Sequence, residues 1–385
     1  MNMVKHKKLL LLSVLSTFVL ASCGYFTNDN ESPTTTDPIE EVVETPIDET
    51  DEETPTENPD NVDEAAEEDA ISQELSAWFP RLENVVYTYE GTGNEYAAYS
   101  FNPQFNQEDY YQIVTNNGGT VYAEVFEYRE NEIVRTFQLS EVYYRDNFTT
   151  IGTTGEDSSE EGLLQLPIKV GTNWTGEEAT YEITAVDHEI DVPAGTYETI
   201  EVTITYPEST TKRYYAQDVG LVYEIHDMGD FTVESSLSSI QTDTPESLLL
   251  SVYVPDEQAL GLDVVNTELV LPTNEPARLA IQEMLSGENQ AYPNVNLLPE
   301  DTEINYLFKN DNGIVEVDLS SEFVSNMNAG VTGEVFYLKS LTNTLLEYYG
   351  AEELLLTIDG ENYESGHIIL MDGETVQFDH ELVND

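Results

Sequence analysis

The chain has 385 residues, of which 76 are acidic and 13 are basic, and its formal net charge at pH 7 is −63. A surface this acidic repels nucleic acid and anionic lipid headgroups, so we expect no nucleic-acid partner. The length is enough for two folded domains of ordinary size. The only cysteine is Cys23, which excludes an internal disulfide framework.

The first residues have the pattern of an export signal. Residues 1 to 8 contain three lysines, and residues 9 to 20 form an apolar run of twelve. This run is shorter than the roughly 20 apolar residues that a membrane-spanning helix needs. We therefore predict a signal peptide over residues 1 to 22.

The residues that follow the apolar run are L-A-S-C-G, at positions 20 to 24. This run resembles the bacterial lipobox. The resemblance implies cleavage between Ser22 and Cys23 and lipidation of Cys23 by an S-diacylglycerol and an N-palmitoyl group. Several acyl chains attach a protein firmly to a bilayer, so we expect an extracytoplasmic protein anchored to the outer face of the cell membrane.

Residues 23 to 72 are rich in Glu, Asp, Thr and Pro. Such a segment cannot bury enough apolar surface to offset its conformational entropy, so it is predicted to be a disordered acidic linker. A flexible coil of about 47 residues spans roughly 35 to 40 Å. Calcium collection by its carboxylates is the weaker alternative, because no loop fixes their geometry.

Residues 75 to 242 are rich in β-branched and aromatic residues that alternate with polar ones. Turn signals separate these short runs, for example N-N-G-G at positions 116 to 119 and P-A-G at positions 193 to 195. The pattern predicts an antiparallel all-β sandwich or open barrel. Some of its segments, such as Leu166 to Trp174, are similar to segments of bacterial envelope lipoproteins.

Residues 246 to 383 mix both element types, which predicts an α+β domain. Gly287 and Gly350 are placed to end two helices, and Asn312-Gly313 is suited to the positive φ angles of a tight hairpin. Strands are predicted at 248–254, 304–308, 314–319 and 354–358, and a further strand is predicted to end at Pro272. Two helices are predicted, one with Pro276 as its first residue and one from about 333 to 348.

Several runs in this region carry a family resemblance. Residues 315 to 323 read V-E-V-D-L-S-S-E-F, and residues 342 to 345 read T-N-T-L. The region resembles the GerMN domain found in sporulation and spore-germination lipoproteins. The resemblance implies an α+β fold akin to ring-building modules, protein–protein contact without catalysis, and a Gram-positive spore former as the source. One copy is visible, where germination proteins of this family carry two.

No catalytic, cofactor-binding or metal-binding residue is expected. The histidines outside the signal peptide form no H-x-H or H-E-x-x-H pair, and Ser320-Ser321 has no nucleophile elbow around it. Asp318 is interpreted as a structural residue at the end of its strand. The histidines concerned are His188, His226, His367 and His380.

Three tyrosine pairs, at positions 110–111, 143–144 and 214–215, would each place a ring on the outer face of a sheet if they lie on strands. Such rings could stack on glycan sugars or contact a protein. Packing between neighbouring strands is the alternative.

These features favour a non-catalytic, membrane-anchored envelope lipoprotein. Its GerMN-like domain would contact envelope or sporulation-complex proteins or peptidoglycan. Homo-oligomerisation through this domain is a further alternative. The alternatives are a surface-tethered hydrolase and a ligand-binding lipoprotein acting on cell-wall polymers.

Overall fold

The computed structural model describes residues 72–150, 160–287 and 295–384. These residues all belong to one compact unit. The predicted signal peptide, the predicted linker up to residue 71 and the predicted lipidation at Cys23 lie outside the described residues.

The first part of the described chain consists of a short helix, α1 (Leu75–Trp78), and twelve strands. The strands are β1 (Val86–Thr92), β2 (Tyr99–Gln107), β3 (Tyr110–Asn116), β4 (Val121–Tyr128), β5 (Glu132–Ser140), β6 (Glu161–Gln165), β7 (Asn173–Thr175), β8 (Thr180–Val192), β9 (Gly195–Thr205), β10 (Thr210–Ala216), β11 (Gly220–Asp227) and β12 (Thr232–Gln241).

These strands form one antiparallel sheet in the order β6-β5-β4-β3-β2-β1-β12-β11-β10-β9-β8-β7. The sheet curls until its two ends meet, and the Trp174 indole on β7 donates to the Gly162 carbonyl on β6 at 3.0 Å. The result is a nearly closed barrel, which confirms the predicted open barrel rather than a sandwich.

Strand β4 is buried on both of its faces. Glu124 and Phe126 line the barrel interior. Ala123 and Val125 point the other way and belong to a core that the barrel shares with the C-terminal region. Successive side chains of a strand point to opposite faces. One face of β4 therefore contributes a charged group to the barrel interior, and the other face forms an apolar contact outside it.

The C-terminal region is built from two small sheets and their covering helices, which confirms the predicted α+β class. Its elements are β13 (Glu246–Pro255), β14 (Leu262–Leu271), α2 (Ala277–Leu285), β15 (Ile304–Lys309), β16 (Val315–Leu319), α3 (Glu322–Ser325), α4 (Val331–Tyr349), β17 (Glu353–Ile358), β18 (Glu361–Asn362), β19 (Val376–Gln377) and a 3₁₀ turn (His380–Leu382). Strands β13 and β14 pair as a hairpin.

The second sheet has the order β15-β16-β17-β18, and β19 also pairs with β17. Strands β16 and β17 are parallel and are connected through α3 and α4. Helix α4 ends at Gly350, which has a left-handed φ of 56°. Such a conformation costs glycine little, which is why the helix stops where the sequence predicted.

Two local predictions were wrong in detail. Pro276 is not the first residue of α2: its ψ of 135° is extended, and the helix begins at Ala277. In the β15–β16 turn only Gly313 has a positive φ, of 77°. The Asn310 carboxamide oxygen accepts from the Asn312 and Ile314 N–H groups and holds the turn without a second positive φ.

The barrel and the C-terminal region share their largest apolar core. It contains Phe137 and Tyr144 of the barrel part together with Leu250, Ile281 and Leu345 of the C-terminal region. The predicted division into domains at 75–242 and 246–383 stays a prediction. Within the described residues, no helix combines the length and the apolar character needed to cross a membrane.

Candidate functional site

Arg145, in the segment after β5, joins the barrel to the C-terminal region. Its guanidinium donates to the Leu271 carbonyl at 2.9 Å and to the Pro272 carbonyl at 2.8 Å. It also forms an ion pair of 3.2 Å with Glu246, and its side chain is fully buried. Burial lowers the pKa of the Arg145 guanidinium and raises that of the Glu246 carboxyl, and their mutual attraction opposes both shifts.

Two buried amides extend this junction into the barrel. Gln104 Nε2 donates to the Glu246 carboxylate at 3.1 Å, and Gln104 Oε1 accepts from Gln112 Nε2 at 2.7 Å. Gln112 Oε1 in turn accepts from the Phe148 N–H at 2.8 Å. Buried polar groups that satisfy one another in this way specify a single arrangement of the elements that carry them.

Asp146 lies beside Arg145 and contacts the second sheet and α4. Its Oδ1 accepts from the Tyr349 hydroxyl at 2.9 Å, and its Oδ2 accepts from the Lys309 N–H at 3.0 Å. Burial raises the pKa of this carboxyl to about 7, although both hydrogen bonds act to lower it. The junction therefore contains a group that titrates near neutral pH.

Arg145, Asp146 and Glu246 are not among the residues that the sequence predicts to be functional. A signal was present, because Arg145 is the only basic residue between Arg135 and Lys169 in a chain that has few of them. A lone cation among aromatic residues is a candidate for a buried ion pair, but its partner lies 101 residues away.

The predicted structural residue Asp318 is buried at the end of β16. Its Oδ1 accepts from the Thr357 hydroxyl at 2.6 Å and from the Gly360 N–H at 2.8 Å, and its Oδ2 accepts from Asn305 at 2.7 Å. Ser320 accepts from the Glu303 N–H at 3.0 Å. These contacts tie neighbouring strand ends together and give both side chains a role in the fold.

The four histidines lie in different segments of the chain: His188 on β8, His226 on β11, His367 between β18 and β19, and His380 in the 3₁₀ turn. His226 Nδ1 lies 2.6 Å from the Thr211 hydroxyl, and the His380 ring packs on Phe378 at 4.5 Å. In the ranges that the structure describes, no group of three or more His, Cys, Asp or Glu side chains is placed to hold a metal ion.

The tyrosine pairs differ from one another. Tyr214 and Tyr215 are both buried, and Tyr214 packs on Tyr223 of the neighbouring strand at 5.6 Å. Tyr143 is 56% exposed but lies in an irregular segment, because that pair does not belong to a strand. Packing between neighbouring strands therefore accounts for the pair at 214–215.

One face of the β13–β14 hairpin is open to solvent. We call it the outer hairpin face; it consists of Ser247, Leu249, Ser251, Asn266, Glu268 and Val270. Leu249 is 72% exposed and Val270 is 52% exposed, and the two are diagonal neighbours across the hairpin. The opposite face packs into the shared core.

The barrel interior contains a cavity of about 200 Å³. Aromatic rings form much of its wall, and two pairs of them stack face to face. Tyr87 lies 4.5 Å from Phe101, and Tyr89 lies 4.3 Å from Tyr99, between ring centroids.

A chain of charged side chains runs along the same cavity, in the order Glu124, Arg135, Glu161, Arg213 and Glu224. Arg135 bonds Glu124 at 3.0 Å and Glu161 at 2.6 Å. Arg213 bonds Glu161 at 3.1 Å and Glu224 at 2.6 Å. We call this series the interior charge chain.

Burial and ion pairing have opposite effects on the carboxyls of the interior charge chain. Burial raises the pKa of Glu124, although Arg135 opposes this shift. Burial also acts to raise the pKa of Glu161, but Arg213 and Arg135 together outweigh it and hold that pKa below its ordinary value.

Comparison with known proteins identifies one family in the C-terminal region. Residues 251–364 match the Germane family, described as sporulation and spore germination. No protein with a curated description matches the chain.

Three solved structures are similar to parts of the chain. A candidate lipoprotein from Parabacteroides distasonis is 15% identical over 44% of this chain and 100% of its own, with a TM-score of 0.29. The tandem GerMN domains of the sporulation protein GerM from Bacillus subtilis are 24% identical over 34% of this chain and 46% of that one, with a TM-score of 0.28. The first GerMN domain of the same protein is 24% identical over 35% of this chain and 98% of its own, with a TM-score of 0.27.

Proposed function

We propose that this chain, which carries a Germane (GerMN) domain at residues 251–364, is a lipid-anchored envelope protein that docks other envelope proteins without catalysing a reaction. The observation that carries the proposal is the placement of the C-terminal region from residue 246 onward, which contains this match and which we call the Germane region. One side of it is fixed to the barrel by the shared core and the Arg145 junction, and the outer hairpin face is free.

The charges of the Germane region indicate what kind of surface it would bind. Its cations all have internal partners: Arg278 donates to the Ile304 carbonyl, Lys309 to the Tyr349 carbonyl, and Lys339 pairs with Asp379. The remaining surface is acidic. A partner that fits would therefore carry an apolar patch surrounded by basic residues.

The anchor rests on the lipobox-like run at positions 20 to 24. Replacement of Cys23 by serine removes the thiol that would accept the lipid, and we expect the protein to move from the membrane fraction to the medium. A Cys23→Ser protein that stays with the membrane would contradict lipid anchoring and would leave docking to be tested separately.

Docking is tested by placing a photo-crosslinking amino acid at Leu249 in the full-length chain in living cells. We expect crosslinked products that contain another envelope protein. Phe231 provides the control position, because it is also a large apolar side chain that is exposed, at 51%, but it lies in the β11–β12 turn of the barrel. The absence of products at Leu249, or the same products from both positions, would contradict docking at the outer hairpin face.

The match to a family described as sporulation and spore germination supports a role of this docking in spore formation or germination. We therefore expect deletion of the gene to lower the yield or the germination of spores. The hydrolase alternative makes a different prediction, which is that the purified chain releases muropeptides from cell wall. If muropeptides are released, and if one carboxylate substitution in the barrel abolishes this release, the hydrolase alternative would replace the docking proposal.

A further inference from the structure

We propose that the barrel cavity is a binding site for a small organic cation, held between the aromatic walls and the surplus carboxylate of the interior charge chain. This site is independent of the docking at the outer hairpin face. It lies on the opposite side of β4 from the core shared with the Germane region.

The first observation is that the interior is not packed. Protein interiors are normally filled to the density of organic crystals. Here about 200 Å³ remains open inside the barrel, although the surrounding side chains are large. Charged groups in such a place are costly for stability, since apolar residues of similar volume would often stabilise the fold as well or better. A binding role would explain why both the space and the charges are present.

The second observation is the sign of the charge. The interior charge chain has three carboxylates and two guanidinium groups, and each guanidinium is already bonded to two carboxylates. An anionic ligand would have to displace a glutamate from an arginine. A cationic ligand would be attracted by the one surplus negative charge, and it would not have to break any of these ion pairs.

The third observation is how the tyrosines face the cavity. Three of their hydroxyls donate to backbone carbonyls: Tyr87 to Val219, Tyr89 to Leu221 and Tyr111 to Leu82. With the hydroxyls occupied, these residues contribute mainly their rings to the wall of the cavity. The faces of aromatic rings attract cations, most strongly where water is excluded.

The fourth observation is an unpartnered polar group. Tyr215 lines the cavity and is almost completely buried. Its hydroxyl has no hydrogen-bond partner in the part of the chain that the structure describes. A buried hydroxyl without a partner is unusual, and the lone pairs of its oxygen would be stabilised by a cation bound next to it.

The test uses the full-length chain in detergent and three probes of similar size and shape: tetramethylammonium, tert-butanol and pivalate. Binding is followed by the melting temperature and by calorimetric titration at constant ionic strength. We expect saturable stabilisation by tetramethylammonium and at least a tenfold weaker effect of the neutral and anionic probes. No saturable effect of the cation, or equal effects of all three probes, would overturn the proposal.

Two variants locate the site. Glu224→Gln removes the surplus charge and should weaken tetramethylammonium binding at least tenfold, and Tyr99→Leu should weaken it by removing a ring. The matched control is Glu198→Gln, an exposed carboxylate on β9 outside the cavity, which should bind like the wild type. If Glu224→Gln does not fold, Tyr99→Leu decides. Binding as strong in a folded cavity variant as in the control would overturn the proposal.

Discussion

Arg145, which belongs to the barrel part, contacts the C-terminal region through both its backbone and its side chain. Its N–H donates to the Tyr348 hydroxyl of α4 at 3.0 Å, and its guanidinium bonds Glu246 and two carbonyls at the end of β14. A buried ion pair is weak evidence for stability by itself. Removal of one partner is different, because it leaves the other charge buried without compensation.

We therefore expect Arg145→Met to lower the free energy of unfolding by about 3–5 kcal/mol, measured by denaturant titration. The control is Arg129→Met, because Arg129 is one-third exposed and its ion pairs lie at the surface. It should cost less than about 1 kcal/mol. The double variant Arg145→Met/Glu246→Met should lose less than the sum of the two single losses. Equal losses for Arg145→Met and the control would contradict the role of this junction.

Asp146 predicts a pH dependence of stability. Burial raises the pKa of its carboxyl from 3.8 to about 7 in the folded state, so the folded protein binds this proton more tightly than the unfolded chain does. The stabilisation is fully present below about pH 4 and is lost as the pH rises to about 7. Its loss between pH 5 and pH 8 corresponds to about 3 kcal/mol.

The measurement compares Asp146→Asn with the wild type by denaturant unfolding across this pH range, which cancels the titration of the other carboxylates. An amide stays neutral and can still accept from the Lys309 N–H. The wild type should therefore lose stability relative to the variant as the pH rises. A difference that does not change with pH would show that Asp146 is already ionised at low pH.

At the scale of elements, β15 is an edge strand with backbone groups at both of its ends bonded to side chains. The Ile304 N–H donates to the Gln282 carboxamide at 2.7 Å, and its carbonyl accepts from Arg278 at 2.9 Å. At the other end, Asp146 accepts from the Lys309 N–H. Covered edges discourage pairing with strands of other molecules.

Removal of this cover should promote association. We expect the double variant Gln282→Met/Arg278→Met to form dimers or larger species with rising concentration, detected by analytical ultracentrifugation. Glu283→Met on the same helix adds apolar surface and removes a charge but leaves the edge covered, so it should behave like the wild type. Equal association in both variants would assign the effect to surface hydrophobicity and not to the strand edge.

Much of the element pattern could be predicted, because it depends on local periodicity. The helix predicted from about 333 to 348 is observed as Val331–Tyr349, and the glycine after it ends it. The strands predicted in the C-terminal region were also found, since alternation and turn residues act within a few positions of one another. The polar T-N-T run of α4 did not fit this periodicity, because α4 is buried on several sides there: Thr344 accepts from the Tyr253 N–H at 3.0 Å.

The interior charge chain and the Arg145 junction could not be predicted in the same way. Glu124 and Arg135 are cross-strand neighbours on β4 and β5, but Arg213 reaches Glu161 only because the sheet closes into a barrel. Closure brings together residues 52 positions apart, and the sequence carries no local signal of it. The same holds for the contact of Arg145 with Glu246, which depends on how the barrel meets the next hairpin.

At the scale of the whole molecule, two spectroscopic signals report on different parts of the chain. Both tryptophans of the sequence, Trp78 and Trp174, belong to the barrel part. The helical signal comes mainly from the C-terminal region, because α4 has 19 residues and α1 has only 4. Tryptophan fluorescence therefore follows the barrel part, whereas the helical band of far-UV circular dichroism includes the C-terminal region.

Because the two parts share a core and a buried ion pair, we expect both signals to show a single unfolding transition with the same midpoint in denaturant. Phe137→Ala, which removes a ring from the shared core, should shift both curves together by about 3–5 kcal/mol. Leu163→Ala, inside the barrel, should also shift both together, since the parts unfold as one. A helical signal that keeps its midpoint while the fluorescence midpoint moves would show that the Germane region folds independently of the barrel.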